Sequence, residues 1–423
     1  MAKIAVIGTG IAGNVAAYHL SKEHEIVVYE ANDYIGGHTH THDIELDGEQ
    51  QRIDTGFIVF NHKTYPNFLK LLAELDVPYQ DSDMSFSVAC EKTGLEYNGT
   101  TINSLFAQRR NFFRPSFYRM IRDILRFNEA SLELLENPDE QVLLGDYLKQ
   151  GNYSQQFIDH YIIPMGSAIW SMSAGQMLKF PARFFVRFFN NHGMLSVDDR
   201  PQWYVIKNGS NAYVDALTKG FKDNIRLSSP VKSIERKEDS VVVKTDSDEQ
   251  TFDYVFNAAH SDQALGMLSD PHALEQEILG VMGYNPNEVI LHTDDSLLPK
   301  RKLAWAAWNY HLLNDDSGRA TLTYNMNILQ SLTSKHTFCV TVNNTEAIDE
   351  SKIIKRLDYA HPMFTEAAVN AQERHREING VNRVYYCGAY WRFGFHEDGV
   401  FSALKALNHF YEDTGHEKQD ILR

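Results

Sequence analysis

Residues Ile4 to Glu30 read IAVIGTGIAGNVAAYHLSKEHEIVVYE, and their order decides the fold. Ile4 to Ile7 is an apolar run too short for a helix, Gly8-Thr9-Gly10-Ile11-Ala12-Gly13 is a G-x-G-x-x-G turn, and Val15 to Leu20 continues as a helix. A second strand, Ile26-Val27-Val28-Tyr29, closes on Glu30 and Ala31. In such a unit Gly8 allows a tight turn, Gly10 lets the backbone approach a pyrophosphate, and Gly13 lets the helix pack closely on the strand. Free N–H groups at the helix start, next to Ile11 and Ala12, then face the anion. Glu30 lies where an acidic side chain can accept both hydroxyls of an adenosine ribose. The spacing predicts a bound dinucleotide; an ordinary glycine-rich turn is the alternative.

At 423 residues the chain is long for one core, which predicts two domains. Its 40 basic and 56 acidic residues give a net charge of −16, which disfavours nucleic acid as a general partner. The apolar start runs into the glycine motif without a small-residue cleavage site, so it is not read as a signal peptide. No apolar run is long enough to span a membrane. Cys90, Cys339 and Cys387 are widely spaced and odd in number, which fits a reduced, cytoplasmic setting with no disulfide framework and no zinc-ligand spacing.

After Glu30 come Gly36-Gly37, His38-Thr39-His40-Thr41-His42 and Asp54-Thr55-Gly56-Phe57. The run from Ile4 through Gly37 resembles the FAD-binding start of the flavin amine oxidase superfamily, which includes monoamine oxidases, protoporphyrinogen oxidases and phytoene desaturases. That family usually has Arg after the glycine pair, where this chain has His38. The resemblance implies that Thr55-Gly56-Phe57 passes near a flavin ring. His38, His40 and His42 would line one face of a strand. With no further convergent ligand in view, they are read as polar residues beside the cofactor, and no metal is expected.

Between 85 and 200 the chain changes character. Arg109, Arg110, Arg114, Arg119, Arg122 and Arg126 form a basic island, interleaved with aromatic residues from Phe106 to Phe127. The island could rest on anionic lipid headgroups or admit a carboxylate-bearing substrate; a solvated helix face over an aromatic core is the plainer reading. Trp170 and the block Phe180, Phe184, Phe185, Phe188 and Phe189 could line an apolar channel or fill a core.

From Trp203 strands and a helix return. A hairpin is expected over Val231 to Arg236 and Val241 to Thr245, and a buried strand over Phe252 to Phe256, before Ala259 and His260. The resemblance implies that Val231 contacts the adenine. Leu303 to Tyr310 alternates and reads as a strand, with Trp305, Trp308 and Tyr310 as candidates to face flavin or substrate. Lys302 is noted because many relatives place a lysine near the flavin. The last block runs from Gly388 through Gly399, Val400 and Ser402, with a helix beginning near Gly399, and resembles the C-terminal flavin motif of the superfamily. There helix-start N–H groups can stabilise a reduced flavin. His396, Glu397 and Asp398 are proton-transfer candidates in what reads as a polar loop. Cys387 does not match the family's covalent flavin motif, so FAD is expected to be noncovalent.

The fold expected is α/β, a Rossmann-like FAD-binding domain (1–84, 201–265 and 376–423) interleaved with an α+β substrate domain (85–200 and 266–375). No second glycine motif for a nicotinamide cofactor and no hydrolytic triad appears. The expected function is hydride transfer to flavin from a C–H or C=C group of an apolar substrate, with no catalytic residue assigned. The nearest resemblance, to short bacterial members associated with cyclopropane fatty acid synthase-like enzymes, implies a fatty acyl substrate. The alternatives are a redox-neutral double-bond isomerase and a noncatalytic FAD-bound partner of a methyltransferase-like enzyme. Segment 106–127 is the candidate for peripheral contact with the inner membrane surface.

Overall fold

The computed structural model describes residues 1–136, 142–196, 200–314, 321–415 and 420. Strand Lys3–Ile7 is the centre of a five-stranded parallel sheet, flanked by Glu25–Tyr29 and Tyr254–Asn257, with Ile225–Arg226 and Val384–Tyr386 at the edges. Strand alternation sends Ile4 and Val6 to one face and Ala5 and Ile7 to the other. The first face packs on helices Ile11–Leu20 and His396–Thr414, through Val15, Ala16, Leu404 and Leu407. The second packs on the antiparallel strands Ser233–Arg236, Val241–Lys244 and Glu249–Phe252, through Ile234, Val241 and Phe252. A sheet covered on both sides needs apolar residues at every position, which is why Ile4, Ala5 and Val6 are fully buried.

A second, seven-stranded sheet runs in the order Ile353–Pro362, Tyr284–His292, Cys339–Val342, Thr321–Asn325, Trp308–Leu312, Phe86–Cys90, Leu95–Asn98. Its pairs are antiparallel except Trp308–Leu312 with Phe86–Cys90. A helical layer lies against it. In helix Ala182–Asn191 the phenylalanines recur at helical spacing, so Phe184, Phe185, Phe188 and Phe189 are all buried while Arg187 and Asn190 are exposed. The phenylalanine block is therefore core.

Several segments depart from the sequence pattern. The stretch Asp54 to Asn61, which reads as a single strand in the sequence, is divided between two strands, Glu49–Asp54 and Val59–Asn61. Between them Thr55 and Phe57 turn back to donate to the carbonyls of His40 (3.1 Å) and His38 (2.7 Å), which breaks the ladder. Phe252 ends one sheet and Tyr254 starts another, because the chain crosses between the two layers there. Lys302–Ala304 is a 3₁₀ turn, and the strand expected from Leu303 begins only at Trp308. Of the three alternate histidines, only His42 lies on a strand, Thr41–Leu46. Trp203–Ile206 pairs with Val59–Asn61 and Tyr79–Ser82 in a separate three-stranded sheet. Among the described residues no helix is long and apolar enough to cross a membrane, and the three cysteines are free and buried.

Candidate functional site

The turn after Lys3–Ile7 leaves the start of helix Ile11–Leu20 uncapped. Its N-cap, Gly10, makes no side-chain bond, and a Cβ placed there would meet no protein atom within 4 Å. The first N–H groups of the helix therefore open onto free space where the helix dipole favours an anion. Glu30 is held beside the turn: its carboxylate accepts from the Thr9 N–H (2.8 Å), the Thr9 hydroxyl (2.5 Å) and the Asn32 N–H (2.9 Å). Ala31 is exposed just beyond it, and Val231 is buried in the core beside Tyr29. This open cradle with a fixed acid at its side could hold a dinucleotide, pyrophosphate at the helix start and ribose at the carboxylate.

Other distant segments close on the same turn. Gly36 donates its N–H to Thr9 Oγ1 (3.2 Å), and a Cβ on Gly37 would lie 3.0 Å from Gly10 Cα. Gly56 sits so close to His38 that a Cβ would fall 1.9 Å from its carbonyl oxygen. Ala258 lines Gly8, and Ala259 donates its N–H to Asn257 Oδ1 (3.2 Å). Gly399 packs on Ile11, and Gly388 donates its N–H to Ser402 Oγ (2.8 Å).

The C-terminal helix begins at His396, three residues before the expected Gly399. The N–H groups of Asp398 and Gly399 donate to the Phe395 carbonyl (3.0 and 3.1 Å), so the helix end presents the N–H groups of His396 and Glu397 rather than those of Gly399 and Val400. His396, Glu397 and Asp398 are a buried first turn and not a polar loop. The His396 ring stacks on Phe57 (3.6 Å, 7°), and its Nε2 lies 2.6 Å from the Tyr213 hydroxyl; burial brings its pKa down to about 3, so it is neutral. Glu397 accepts from Asn67 Nδ2 (2.5 Å) and from the N–H groups of Asn67 (3.2 Å) and Phe68 (2.9 Å), at the start of helix Pro66–Glu74. Burial pushes its carboxyl up to about 7, and that of Asp398 up to about 6. These two acids tie the helix start in place.

His38, His260 and His361 are partly accessible and gather into one cluster with Tyr359 and Tyr284. The His38 ring lies 4.9 Å from Tyr359, 5.3 Å from His361 and 6.2 Å from His260, and its Nε2 is buried without a partner. Burial holds His38 well below the usual histidine range and His361 at about 4. His38 thus supplies a neutral imidazole, not the positive charge of an arginine. The His361 Nδ1 lies 3.0 Å from the Ser171 hydroxyl and 3.3 Å from Asn287 Nδ2. Among the described residues no three His, Cys, Asp or Glu side chains are grouped to hold a metal ion.

Partly accessible apolar side chains lie between the helical layer and the seven-stranded sheet. Tyr161, Met165 and Ile169 stand four residues apart on one helical face, with buried residues at 162–164 and 166–168. This helix rests on strand Trp308–Leu312 through Ser167 and the Tyr310 hydroxyl. Trp308 and Tyr324 pair across two strands, rings 5.0 Å apart, and the Trp308 indole N–H is buried without an acceptor. Tyr161, Met165, Ile169, Tyr324 and His361 were not singled out by the sequence pattern, although the four-residue spacing was there to be read.

The aromatic residues expected at a substrate are divided. Trp308 is among the partly accessible side chains between the layers. Trp170 and Phe184 are buried, Trp170 donating its N–H to the Phe393 carbonyl (3.3 Å) and Phe184 lying 4.6 Å from the Phe393 ring. Tyr310 is buried against Ser167, and Trp305 stands apart, donating to the Pro299 carbonyl (2.8 Å).

The sequence pattern of the family described as flavin containing amine oxidoreductase matches residues 11–329. The chain is also similar to a 1-hydroxycarotenoid 3,4-desaturase of Flavobacterium sp. (strain P99-3), 39% identical over 98 residues, which are 23% of this chain and 18% of that protein. The match thus spans under a fifth of that curated relative. Among solved structures, the fold is similar to cyclohexylamine oxidase from Brevibacterium oxydans IH-35A (TM-score 0.69, 14% identity, 98% of this chain and 100% of that one). It is equally similar to a CLA-producing fatty acid isomerase from P. acnes (TM-score 0.69, 14% identity, 97% and 99%). The chain belongs to the flavin containing amine oxidoreductase family.

Proposed function

We propose that FAD is held noncovalently by Gly8 to Gly13, Glu30, Gly36 to His38, Thr55 to Phe57, Val231, Ala259, Gly388 and the start of helix His396–Thr414. When bound, FAD supplies a hydride acceptor at its N5. The substrate is an apolar molecule with a polar group at one point, and the reaction is removal of hydrogen from one of its C–H bonds. The observation that carries this reading is the set of partly accessible apolar side chains Tyr161, Met165, Ile169, Trp308 and Tyr324 between helical layer and sheet, where the buried Trp308 indole N–H has no acceptor. A mostly apolar cavity with few polar fixtures suits such a ligand.

The chain's own residues orient and desolvate. The packed rings of Trp170, Phe184 and Phe188 exclude water from the side facing the helical layer. His38 and His361, held neutral by burial at physiological pH, can hydrogen-bond a ligand without placing a fixed cation beside it. The relative named as a carotenoid desaturase and the neighbour named as a fatty acid isomerase both act on apolar chains by their names, which agrees with this substrate class.

Titrating the holoprotein with a C18 unsaturated fatty acid or a hydroxylated carotenoid should perturb the visible flavin bands, and Met165→Arg should abolish the perturbation while FAD content stays normal. Perturbation by simple amines alone would overturn the substrate class.

A further inference from the structure

The basic island lies on one exposed surface outside the site described above. The turn Arg109–Phe113 and helix Pro115–Ala130 are joined by the Tyr118 hydroxyl, which donates to the Phe112 carbonyl (3.2 Å), and by Phe106 stacked on Phe112 (4.1 Å). The buried stripe of the helix is Phe117, Met120, Asp123 and Phe127; its outward stripe carries Tyr118, Arg119, Arg122, Leu125, Arg126 and, at the far end, Glu129. At the tip Phe113 is 88% exposed, and Ile102, next to the Asn103 that accepts from Arg109, is 77% exposed. Single exposed apolar residues are ordinary, but aromatic and aliphatic side chains projecting together beside a row of cations are not.

The charge here is unbalanced. From 102 to the helix end at 130 the chain has six arginines and two acids, Asp123 and Glu129, within a protein of net charge −16. Asp123 is buried, accepts from the Ser154 N–H (2.9 Å) and pairs with Arg126 (3.2 Å). Arg109 and Arg110 donate to backbone carbonyls of Phe106 and Gly94. Among the described residues Arg114, Arg119 and Arg122 make no ion pair.

We propose that this face docks on an anionic lipid bilayer, with Phe112, Phe113 and Ile102 entering the interface and Arg114, Arg119 and Arg122 meeting the headgroups. Protruding apolar tips beside guanidinium groups that pair with no described acid match a surface that is anionic outside and apolar beneath. An acidic protein would answer the charge but leave Phe113 without an apolar layer to enter. The proposal is independent of the substrate reading.

The holoprotein is sedimented with phosphatidylcholine vesicles with and without phosphatidylglycerol. It should bind only the anionic vesicles, and less well as salt rises. Arg119→Gln with Arg122→Gln should weaken partitioning roughly 25-fold, and Phe113→Ser roughly tenfold, both variants keeping wild-type FAD content. No sedimentation with anionic vesicles, equal binding to neutral ones, or unchanged binding by both folded variants would overturn the proposal; the first outcome would leave an acidic protein as the occupant.

Discussion

Gly10→Val separates folding from cofactor binding at one atom. A Cβ at Gly10 meets no protein atom within 4 Å, and the backbone there (φ −62°, ψ 175°) is extended and open to any residue. The cost to the apoprotein is confined to replacing glycine by a poorer N-cap, about 1 kcal/mol or less. The same side chain fills the space in front of the helix start. It would displace the pyrophosphate from about two charge-assisted N–H bonds worth roughly 1.5–3 kcal/mol each, or about 3–6 kcal/mol together. At about 1.4 kcal/mol per decade, FAD affinity should fall roughly 10²- to 10⁴-fold. Flavin content after purification and fluorescence titration of the apoprotein with FAD measure the loss, and urea unfolding of the two apoproteins measures the fold. Gly13→Ala is the contrast, because its Cβ would lie 1.9 Å from the Gly8 carbonyl oxygen and must disturb the turn itself. A Gly10→Val protein that retains full FAD content would refute the placement of the pyrophosphate.

Two further outcomes concern stability. His38, His192, His361, His375 and His396 are held neutral by burial, His192 and His361 at about 4 and His396 at about 3, so the unfolded chain binds more of these protons as pH falls below the usual histidine value. Asp54 and Asp398, raised to about 6, and Glu397, raised to about 7, work the other way, since the folded state binds their protons first. Histidines lowered in the folded state outnumber the raised acids, so stability should fall on acidification from about pH 6.5 to about pH 4.5. Urea midpoints that stay level across this window would refute that balance. Glu397→Ala leaves the buried N–H groups of Asn67 and Phe68 without their acceptor, and should cost about 2–4 kcal/mol in the same assay; a loss below about 0.5 kcal/mol would show that the carboxylate does not anchor that helix.

The α/β fold was legible because its opening signal is local: a four-residue apolar run, a glycine turn and an acid are contiguous, and each glycine has a physical reason. The close of the site was legible in part. Gly388 to Ser402 could be read as a strand, a turn and a helix, but not that the helix starts at His396, because His396, Glu397 and Asp398 look solvent-loving until Tyr213, Asn67 and Phe68 supply their partners from distant segments. The break at Gly56 was hidden for the same reason, its cause being the His38 carbonyl on another strand connection. The aromatic residues were the hardest. Phe184, Trp305 and Trp308 are alike in sequence, and only packing against Phe393, a hydrogen bond to Pro299 or an unpaired indole tells the three positions apart.

The most direct measurement is the visible absorbance spectrum of the purified holoprotein, mixed anaerobically in parallel with a hydroxylated carotenoid, an unsaturated C18 fatty acid and a primary amine. Bleaching of the flavin bands by one of the apolar compounds, with none from the amine, is the expected result. Bleaching by the amine alone would contradict an apolar C–H substrate, and apolar turnover with the flavin left oxidised would replace net oxidation by isomerisation.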